Sequence, residues 1–190
     1  MKNLFIFDCF GVIIKNDPST VFMKNNLFES DILYLRKNVF PKADIGELDM
    51  QYIFNLLSQK TNKTVKDISE EYKKLCEVDN NVVDYIKKIK ENNIVVLLSN
   101  CPSGFLPKIL KENNIEKLFD DIIISCDVKM IKPNKDIFNL VTEKFKGKYN
   151  KSIFIDDNEK NVMGAKNANI DYLVHFIDFD SFKQKIAGLL

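Results

Sequence analysis

Five short runs of apolar residues divide the chain, and more polar stretches with helical periodicity separate them. The runs cover residues 3–7, 94–98, 122–125, 152–155 and 172–177. They are nearly continuous in Ile, Val, Leu and Phe, which is typical of strands that are buried on both faces of a parallel sheet. The alternation of these strands with helical stretches predicts an α/β fold with a doubly wound, five-stranded parallel sheet and right-handed crossovers.

The segment 15–79 differs from the rest because it has no comparable apolar run and contains several helical stripes. One stripe consists of Val65, Ile68, Tyr72 and Leu75, and another of Met50, Ile53, Phe54 and Leu57. Thr64 and Asp67 form a capping pair in front of the first stripe. The pattern predicts a small helical cap at 15–79, inserted into a core that is formed by 1–14 and 80–190.

Polar residues follow the predicted strands at their carboxyl ends. These residues are Asp8 after the first strand, Ser99 and Asn100 after the second, Lys132 a short loop after the third, and Asp156 and Asp157 after the fourth. In an open α/β sheet, ligands bind beyond these ends, at the point where the strand order reverses. We therefore expect a single site that combines carboxylates, a hydroxyl, an amide and a cation.

The distribution of charge and hydropathy limits the possible partners. The 28 basic and 27 acidic residues give a net charge of +1, so we expect no nucleic-acid partner. The longest purely apolar stretch, 94–98, is far shorter than the ~20 residues of a membrane-spanning helix, so we expect no membrane partner. The N-terminal run 4–7 is too short for the core of a signal peptide, and the expected location is cytoplasmic.

Four ordered motifs resemble those of the haloacid dehalogenase-like (HAD) superfamily. They are FIFDCFGV at 5–12, LLSN at 97–100, KP at 132–133 and IDDN at 155–158. The resemblance covers nearly the whole chain and implies a Rossmann-like core with a helical cap, as in subfamily IA-like members. The second and fourth motifs are similar to those of bacterial sugar-phosphate phosphatases such as glucose-1-phosphate phosphatases.

The resemblance implies roles for the acidic residues. Asp8 would be the nucleophile that attacks phosphorus and forms an aspartyl phosphate. The implied ligands of a Mg²⁺ ion are the carboxylates of Asp8 and Asp157 and the backbone carbonyl of Phe10, with Asp156 in support. A cation is also expected from charge balance, because Asp156 and Asp157 beside Asp8 would otherwise repel a phosphate, and Mg²⁺ suits a site made of oxygen ligands.

The remaining motif residues are expected to bind phosphate or to balance charge. Lys132 would offset the negative charge on Asp8 and on the phosphoryl oxygens, which makes it both catalytic and phosphate-binding. Ser99 and Asn100 would bind the phosphoryl group. His175, the sole histidine, lies inside the last apolar run and is expected to be structural.

Phe10 breaks the pattern of the family. Most phosphatases of this superfamily carry a second Asp at this position, which protonates the leaving oxygen and later activates water. A phenyl ring cannot transfer protons, and the loss of a general acid or base typically costs ~10²–10⁴-fold in rate. Slow turnover, a leaving group that needs little help, or a substitute acid from the cap or the substrate would be consistent with Phe10.

Three functions are therefore open. The first is a Mg²⁺-dependent phosphohydrolase whose partner is a small phosphorylated molecule, with sugar phosphates as the first candidates. The second is a metal-independent 2-haloacid dehalogenase-like hydrolase, which Phe10 favours and the pair of Asp156 and Asp157 disfavours. The third is a degenerate member that binds a phosphorylated ligand without turnover. The oligomeric state stays open.

Overall fold

The computed structural model describes residues 2–16 and 27–189, and a five-stranded sheet lies at its centre. The strands are β1 (Lys2–Phe7), β2 (Ile94–Ser99), β3 (Asp121–Ile124), β4 (Tyr149–Asp156) and β5 (Tyr172–His175). Their order is β3-β2-β1-β4-β5, and every neighbouring pair is parallel. The predicted five-stranded parallel α/β architecture is confirmed.

The ends of the strands differ from the predicted ends by a few residues. β4 begins at Tyr149 rather than at 152, because Lys2 of β1 pairs with Tyr149 before the register shifts. Ser125 was predicted to end β3 but begins a helix, and residues 176–177 lie beyond β5. Main-chain hydrogen bonding with the neighbouring strand determines where a strand ends. The pattern of apolar side chains alone does not show where this bonding stops.

Helices connect the strands. Within the described ranges they are α1 (Glu29–Tyr34), α2 (Phe40–Asp44), α3 (Met50–Lys60), α4 (Val65–Leu75), α5 (Asn80–Lys90), α6 (Leu106–Glu112), α7 (Ser125–Val128), α8 (Lys135–Lys144), α9 (Glu159–Asn167) and α10 (Phe179–Ile186). Leu35–Val39 is a π-helix, and Glu116–Leu118 and Ala187–Leu189 are short 3₁₀-helices. None of these helices is both long and apolar enough to cross a membrane.

Both faces of the sheet are buried, which explains the continuous apolar runs. Successive side chains of a strand point to opposite faces, so Phe5 and Phe7 of β1 join one buried cluster. Leu4 and Ile6 join a second cluster, which includes Phe138 of α8. The buried part of each strand is therefore mostly apolar at successive positions and not only at alternate ones.

The helices α1 to α4 and the π-helix lie between β1 and β2 in the chain, and we call them the cap. The predicted capping pair is confirmed, since Thr64 and Asp67 form a reciprocal capping box at the start of α4. Ile53 of α3 and Ile68 of α4 belong to the same buried cluster as Phe7 of the sheet. The cap therefore packs on the core through a continuous apolar interior.

The chain leaves the core and returns to it along two adjacent segments. The backbone N–H of Lys15 donates to the carbonyl of Glu77 at 2.9 Å, and the N–H of Asp79 donates to the carbonyl of Ile13 at 2.8 Å. These bonds hold the two connections side by side next to the carboxyl end of β1. They therefore fix the base of the cap close to Asp8.

The predicted domain limits lie near these paired connections. The limits 15–79 for the cap and 1–14 with 80–190 for the core stay a prediction. Residues 17–26 of the predicted cap lie outside the described residues.

Candidate active site

A cavity opens where the strand order reverses. β1 is central, β2 and β3 lie on one side of it, and β4 and β5 lie on the other. Ligands of open α/β sheets bind at such a point, outside the carboxyl ends of the strands. The cavity has a volume of about 400 Å³. Among the core residues that line it are Asp8, Phe10, Asn100, Lys132 and Asp157.

Lys132 lies between two carboxylates at the base of this cavity. Its Nζ is 2.7 Å from Oδ1 of Asp8 and 2.7 Å from Oδ2 of Asp156, and all three side chains are buried. Burial lowers the pKa of Lys132, but the two carboxylates outweigh this effect and raise the pKa above its ordinary value. Lys132 is therefore a permanent cation in contact with Asp8.

Burial has the opposite effect on the nucleophile candidate. It raises the pKa of Asp8 to about 8, although Lys132 acts to lower it. The nearby carboxylate of Asp156 raises the pKa of Asp8 further. In their charged forms, Asp8 and Asp156 together therefore carry more negative charge than Lys132 alone can balance.

Asp156 uses both of its oxygens within the protein. One oxygen accepts the hydrogen bond from Lys132, and the other accepts from the backbone N–H of Asn158 at 2.8 Å. The side-chain amide of Asn161 donates to both oxygens, at 3.1 and 3.0 Å. Asp156 thus joins Lys132 to the start of α9, and it lies behind the cavity wall.

The acidic groups are close enough to share a cation. One carboxylate oxygen from each of Asp8, Asp156 and Asp157 lies within 4.8 Å of the others. Gly11 permits this approach, because a Cβ at Gly11 would lie 2.2 Å from Oδ2 of Asp157 and φ of Gly11 is +82°. A donor set made only of oxygens fits Mg²⁺. Phe10 lies in the same cavity wall, and coordination through its carbonyl stays a prediction.

Asn100 binds the loop that carries Lys132. Its side-chain amide donates to the backbone carbonyl of Lys132 at 2.9 Å, and its side-chain oxygen accepts from the N–H of Lys132 at 2.9 Å. These two reciprocal hydrogen bonds fix the loop that carries Lys132 against the end of β2. This positioning role was not predicted from the sequence, and the predicted phosphate binding by Asn100 stays a prediction.

Ser99 is fully buried, and its hydroxyl has no hydrogen-bond partner among residues 2–16 and 27–189. A buried polar group without a partner costs about 1–3 kcal/mol. Such a cost is consistent with a ligand group that supplies the missing partner. Phosphate binding by Ser99 stays a prediction.

His175 belongs to the site's supporting structure. Its Nε2 lies 2.9 Å from the backbone carbonyl of Asp157, and the parallel register places it beside Asp156. The imidazole therefore stabilises the segment that carries Asp156 and Asp157. The structural role that the sequence suggested for His175 takes this specific form, which only the pairing of β4 with β5 reveals.

The cap closes the cavity with mostly apolar side chains. It contributes Phe40, Asp44, Met50, Ile53 and Tyr72 to the lining. The ring of Tyr72 packs edge-on against Phe105, with centroids 4.6 Å apart, and against Phe54 at 5.6 Å. Asp44 is the only carboxylate that the described part of the cap adds to this cavity.

The sequence matches one described protein family over most of its length. The family described as haloacid dehalogenase-like hydrolase matches residues 2–169. A phosphoglycolate phosphatase of Vibrio parahaemolyticus is 32% identical over 74 residues, which are 39% of this chain and 32% of that protein. The bifunctional epoxide hydrolase 2 of Mus musculus is 40% identical over 58 residues, which are 30% of this chain and 10% of that protein. The matches therefore span about a third or less of these relatives.

Solved structures share the whole fold. A HAD family enzyme from Bacteroides thetaiotaomicron, in complex with magnesium and inorganic phosphate, has a TM-score of 0.75 at 21% identity, covering 96% of this chain and 99% of that chain. A 2-haloacid dehalogenase from Pseudomonas syringae has a TM-score of 0.62 at 13% identity, covering 90% of this chain and 85% of that chain. At these identities, the likeness shows the fold alone.

Proposed function

The chain belongs to the haloacid dehalogenase-like hydrolase family, and we propose that it is a Mg²⁺-dependent phosphohydrolase acting on a small phosphomonoester through an aspartyl phosphate on Asp8. The observation that carries this proposal is the buried contact of Asp8 with Lys132 at 2.7 Å, with Asp157 close by at the same cavity. A carboxylate nucleophile next to a fixed cation suits the transfer of a negatively charged phosphoryl group.

The reaction uses this arrangement in two steps. A carboxylate oxygen of Asp8 attacks phosphorus and the ester oxygen leaves, after which water releases phosphate from Asp8. The ammonium of Lys132 offsets the charge that collects on Asp8 and the phosphoryl oxygens. Because Asp156 and Asn100 already hold Lys132 in place, this stabilisation needs no reorganisation during the reaction.

A Mg²⁺ ion fits the oxygen donors of the site. Asp8 and Asp157 would hold it through their carboxylates and Phe10 through its backbone carbonyl, with Asp156 behind them. When bound, the ion supplies positive charge that offsets the carboxylates and the phosphoryl group. The choice of Mg²⁺ is supported by the Bacteroides enzyme of similar fold, which was solved in complex with magnesium and inorganic phosphate.

The cavity favours a small substrate. Its volume of about 400 Å³ lies toward the lower end of the ~300–1,000 Å³ range of ligand sites. The core wall is polar and suits the phosphate, whereas the cap wall is mainly apolar and aromatic. Sugar phosphates are the first candidates, and the name of the Vibrio relative adds phosphoglycolate to the candidates.

The acidic pair argues against the dehalogenase alternative. A haloacid is itself an anion, so the carboxylates of Asp156 and Asp157 would repel it unless a metal ion were bound. Phe10 is the one feature that favours a dehalogenase or a binding protein without turnover. The test must therefore distinguish a phosphohydrolase, a dehalogenase and a binding protein without turnover.

The test is the release of phosphate by the purified protein from sugar phosphates, phosphoglycolate and p-nitrophenyl phosphate, with Mg²⁺ or with EDTA. We expect Mg²⁺-dependent release that Asp8→Asn abolishes. Asp84→Asn is the matched control, because Asp84 pairs with Lys87 at the surface of the molecule. We expect it to keep full activity.

The contradicting outcomes are distinct. Halide release from 2-haloacids without metal, and no release of phosphate, would establish the dehalogenase. Tight binding of a phosphorylated ligand without any turnover would establish the degenerate binding protein.

A further inference from the structure

The proposed reaction requires a proton donor, and the described core wall offers no carboxyl group for this role besides Asp8 and Asp157. When the bond from phosphorus to the ester oxygen breaks, the departing oxygen becomes an alkoxide unless it receives a proton, and a positioned acid is worth about 10²–10⁴-fold in rate. Phe10 lines the cavity but carries no exchangeable proton. Asp8 and Asp157 already serve as nucleophile and metal ligand. The remaining carboxyl group in the described lining belongs to Asp44.

We propose that Asp44 of the cap is the general acid and general base of this reaction, an inference that rests on the proposed function. Asp44 is the last residue of α2. The helix closes through backbone hydrogen bonds from Gly46 to Ala43 at 3.0 Å and from Glu47 to Lys42 at 2.9 Å. The backbone around Asp44 is therefore fixed locally, as a catalytic carboxyl group requires.

The turn after Asp44 lies directly on the core. A Cβ at Gly46 would lie 2.6 Å from the backbone carbonyl oxygen of Cys126 in α7, so only glycine allows this contact. A second link follows at the start of α3, where the N–H of Met50 donates to the carbonyl of Ser103 at 3.3 Å. The cap is thus anchored to the core within this turn and again just after it, and Asp44 keeps a defined place in the cavity.

Asp44 is also close to the loop that follows β2. Burial, and after it the charge of Asp44, raise the pKa of the Cys101 thiol. Cys101 follows Asn100, whose side chain holds the backbone of Lys132. The loop after β2 therefore lies near Asp44 at Cys101 and holds Lys132 through Asn100. Both Asp44 and Lys132 line the cavity.

The other proton-bearing side chains of the wall are less suited to this role. Lys132 is held between two carboxylates, and Tyr72 is buried between aromatic rings. Lys160 is exposed and carries an ammonium group. A carboxyl group can donate a proton and take one back near neutral pH more readily than a lysine or a tyrosine can.

Asp44 gives up one proton and takes one back in each turnover. In the first step, an oxygen of Asp8 bonds to phosphorus, the bond to the ester oxygen breaks, and the Asp44 carboxyl proton moves to that oxygen, which leaves as an alcohol. In the second step, the Asp44 carboxylate takes a proton from water while the water oxygen bonds to phosphorus. The bond between phosphorus and Asp8 breaks, and phosphate leaves. Asp8 is again a carboxylate and Asp44 is again protonated.

The test compares leaving groups in Asp44→Asn. Phenyl phosphate and p-nitrophenyl phosphate have nearly the same shape, but p-nitrophenolate leaves readily without a proton. We expect kcat/KM to fall about 10²-fold or more for phenyl phosphate and less than about tenfold for p-nitrophenyl phosphate. Asp44→Glu should recover part of the loss. Glu47→Gln, which changes an exposed residue in the turn beside it, should change neither value.

Each other outcome has a distinct meaning. An equal loss for both substrates, or no loss for either, overturns the role of Asp44 while the proposed function stands. Retained cleavage of p-nitrophenyl phosphate by Asp44→Asn shows that the variant is folded. Lys160→Met or Tyr72→Phe could instead lose activity selectively toward phenyl phosphate while Asp44→Asn does not. The residue replaced in that variant would then be the proton donor. A wild-type protein that cleaves neither substrate, nor any of the panel above, overturns the proposed function and this inference together.

Discussion

The carboxylate of Asp156 holds the ammonium of Lys132 at 2.7 Å, and neither group has more than a trace of exposure to solvent. Asp156 does not line the cavity, so its contribution is to fix the cation that contacts Asp8. A buried charge that loses its partner is strongly destabilising, whereas an exposed ion pair of the same length contributes little.

Asp156→Asn should destabilise the protein by about 3 kcal/mol, the lower end of the usual range for a broken buried pair, because Lys132 keeps Asp8 as a partner. Denaturant unfolding measures the change. Asp84→Asn removes a surface pair with Lys87 of the same 2.7 Å length and should leave the stability nearly unchanged. Equal effects of the two substitutions would mean that Lys132 does not depend on Asp156.

Gly11→Ala should weaken Mg²⁺ binding by about 10–100-fold, because the new methyl group would displace the Asp157 carboxylate that lies 2.2 Å from its position. Calorimetric titration with Mg²⁺ gives the affinity. Gly147→Ala is the matched control, since Gly147 also has a positive φ, of +75°, but has open space around the position of a Cβ. It should cost stability and leave the affinity intact. An unchanged Mg²⁺ affinity in Gly11→Ala would show that Asp157 is not a ligand of the metal.

Mg²⁺ binding should release a proton near neutral pH. Burial raises the pKa of Asp8 to about 8 in the metal-free protein, so Asp8 is mostly protonated there, and a cation favours its charged form. The affinity for Mg²⁺ should therefore rise as the pH increases toward about 8. Calorimetry in buffers with different ionisation enthalpies counts the protons. Release that persists in Asp8→Asn would assign the proton to another group.

The sheet and its site could be predicted from the sequence because both depend on local pattern. Burial of both faces requires continuous apolar runs, and parallel strands bring residues after their carboxyl ends to one edge. The predicted residues Asp8, Lys132 and Asp157 accordingly meet at one cavity. These three positions, far apart in the chain, are brought together by the topology of the sheet.

Roles that depend on loop geometry or on the cap could not be predicted in this way. The reciprocal bonds of Asn100 with Lys132 require two loops to lie side by side, and no periodicity encodes that contact. Helical stripes in the cap mark buried positions, but they do not distinguish a wall of the cavity from the interior. The structure was needed to place Asp44 beside the site.

The most direct test of the central claim is to look for the phosphoryl group on Asp8 itself. The protein is mixed with Mg²⁺ and an active phosphomonoester, quenched in acid during turnover, digested and analysed by mass spectrometry. We expect a phosphorylated peptide that contains Asp8, which is absent with EDTA and absent in Asp8→Asn. Mg²⁺-dependent turnover that persists in Asp8→Asn, or a phosphoryl group found on another residue, would contradict it.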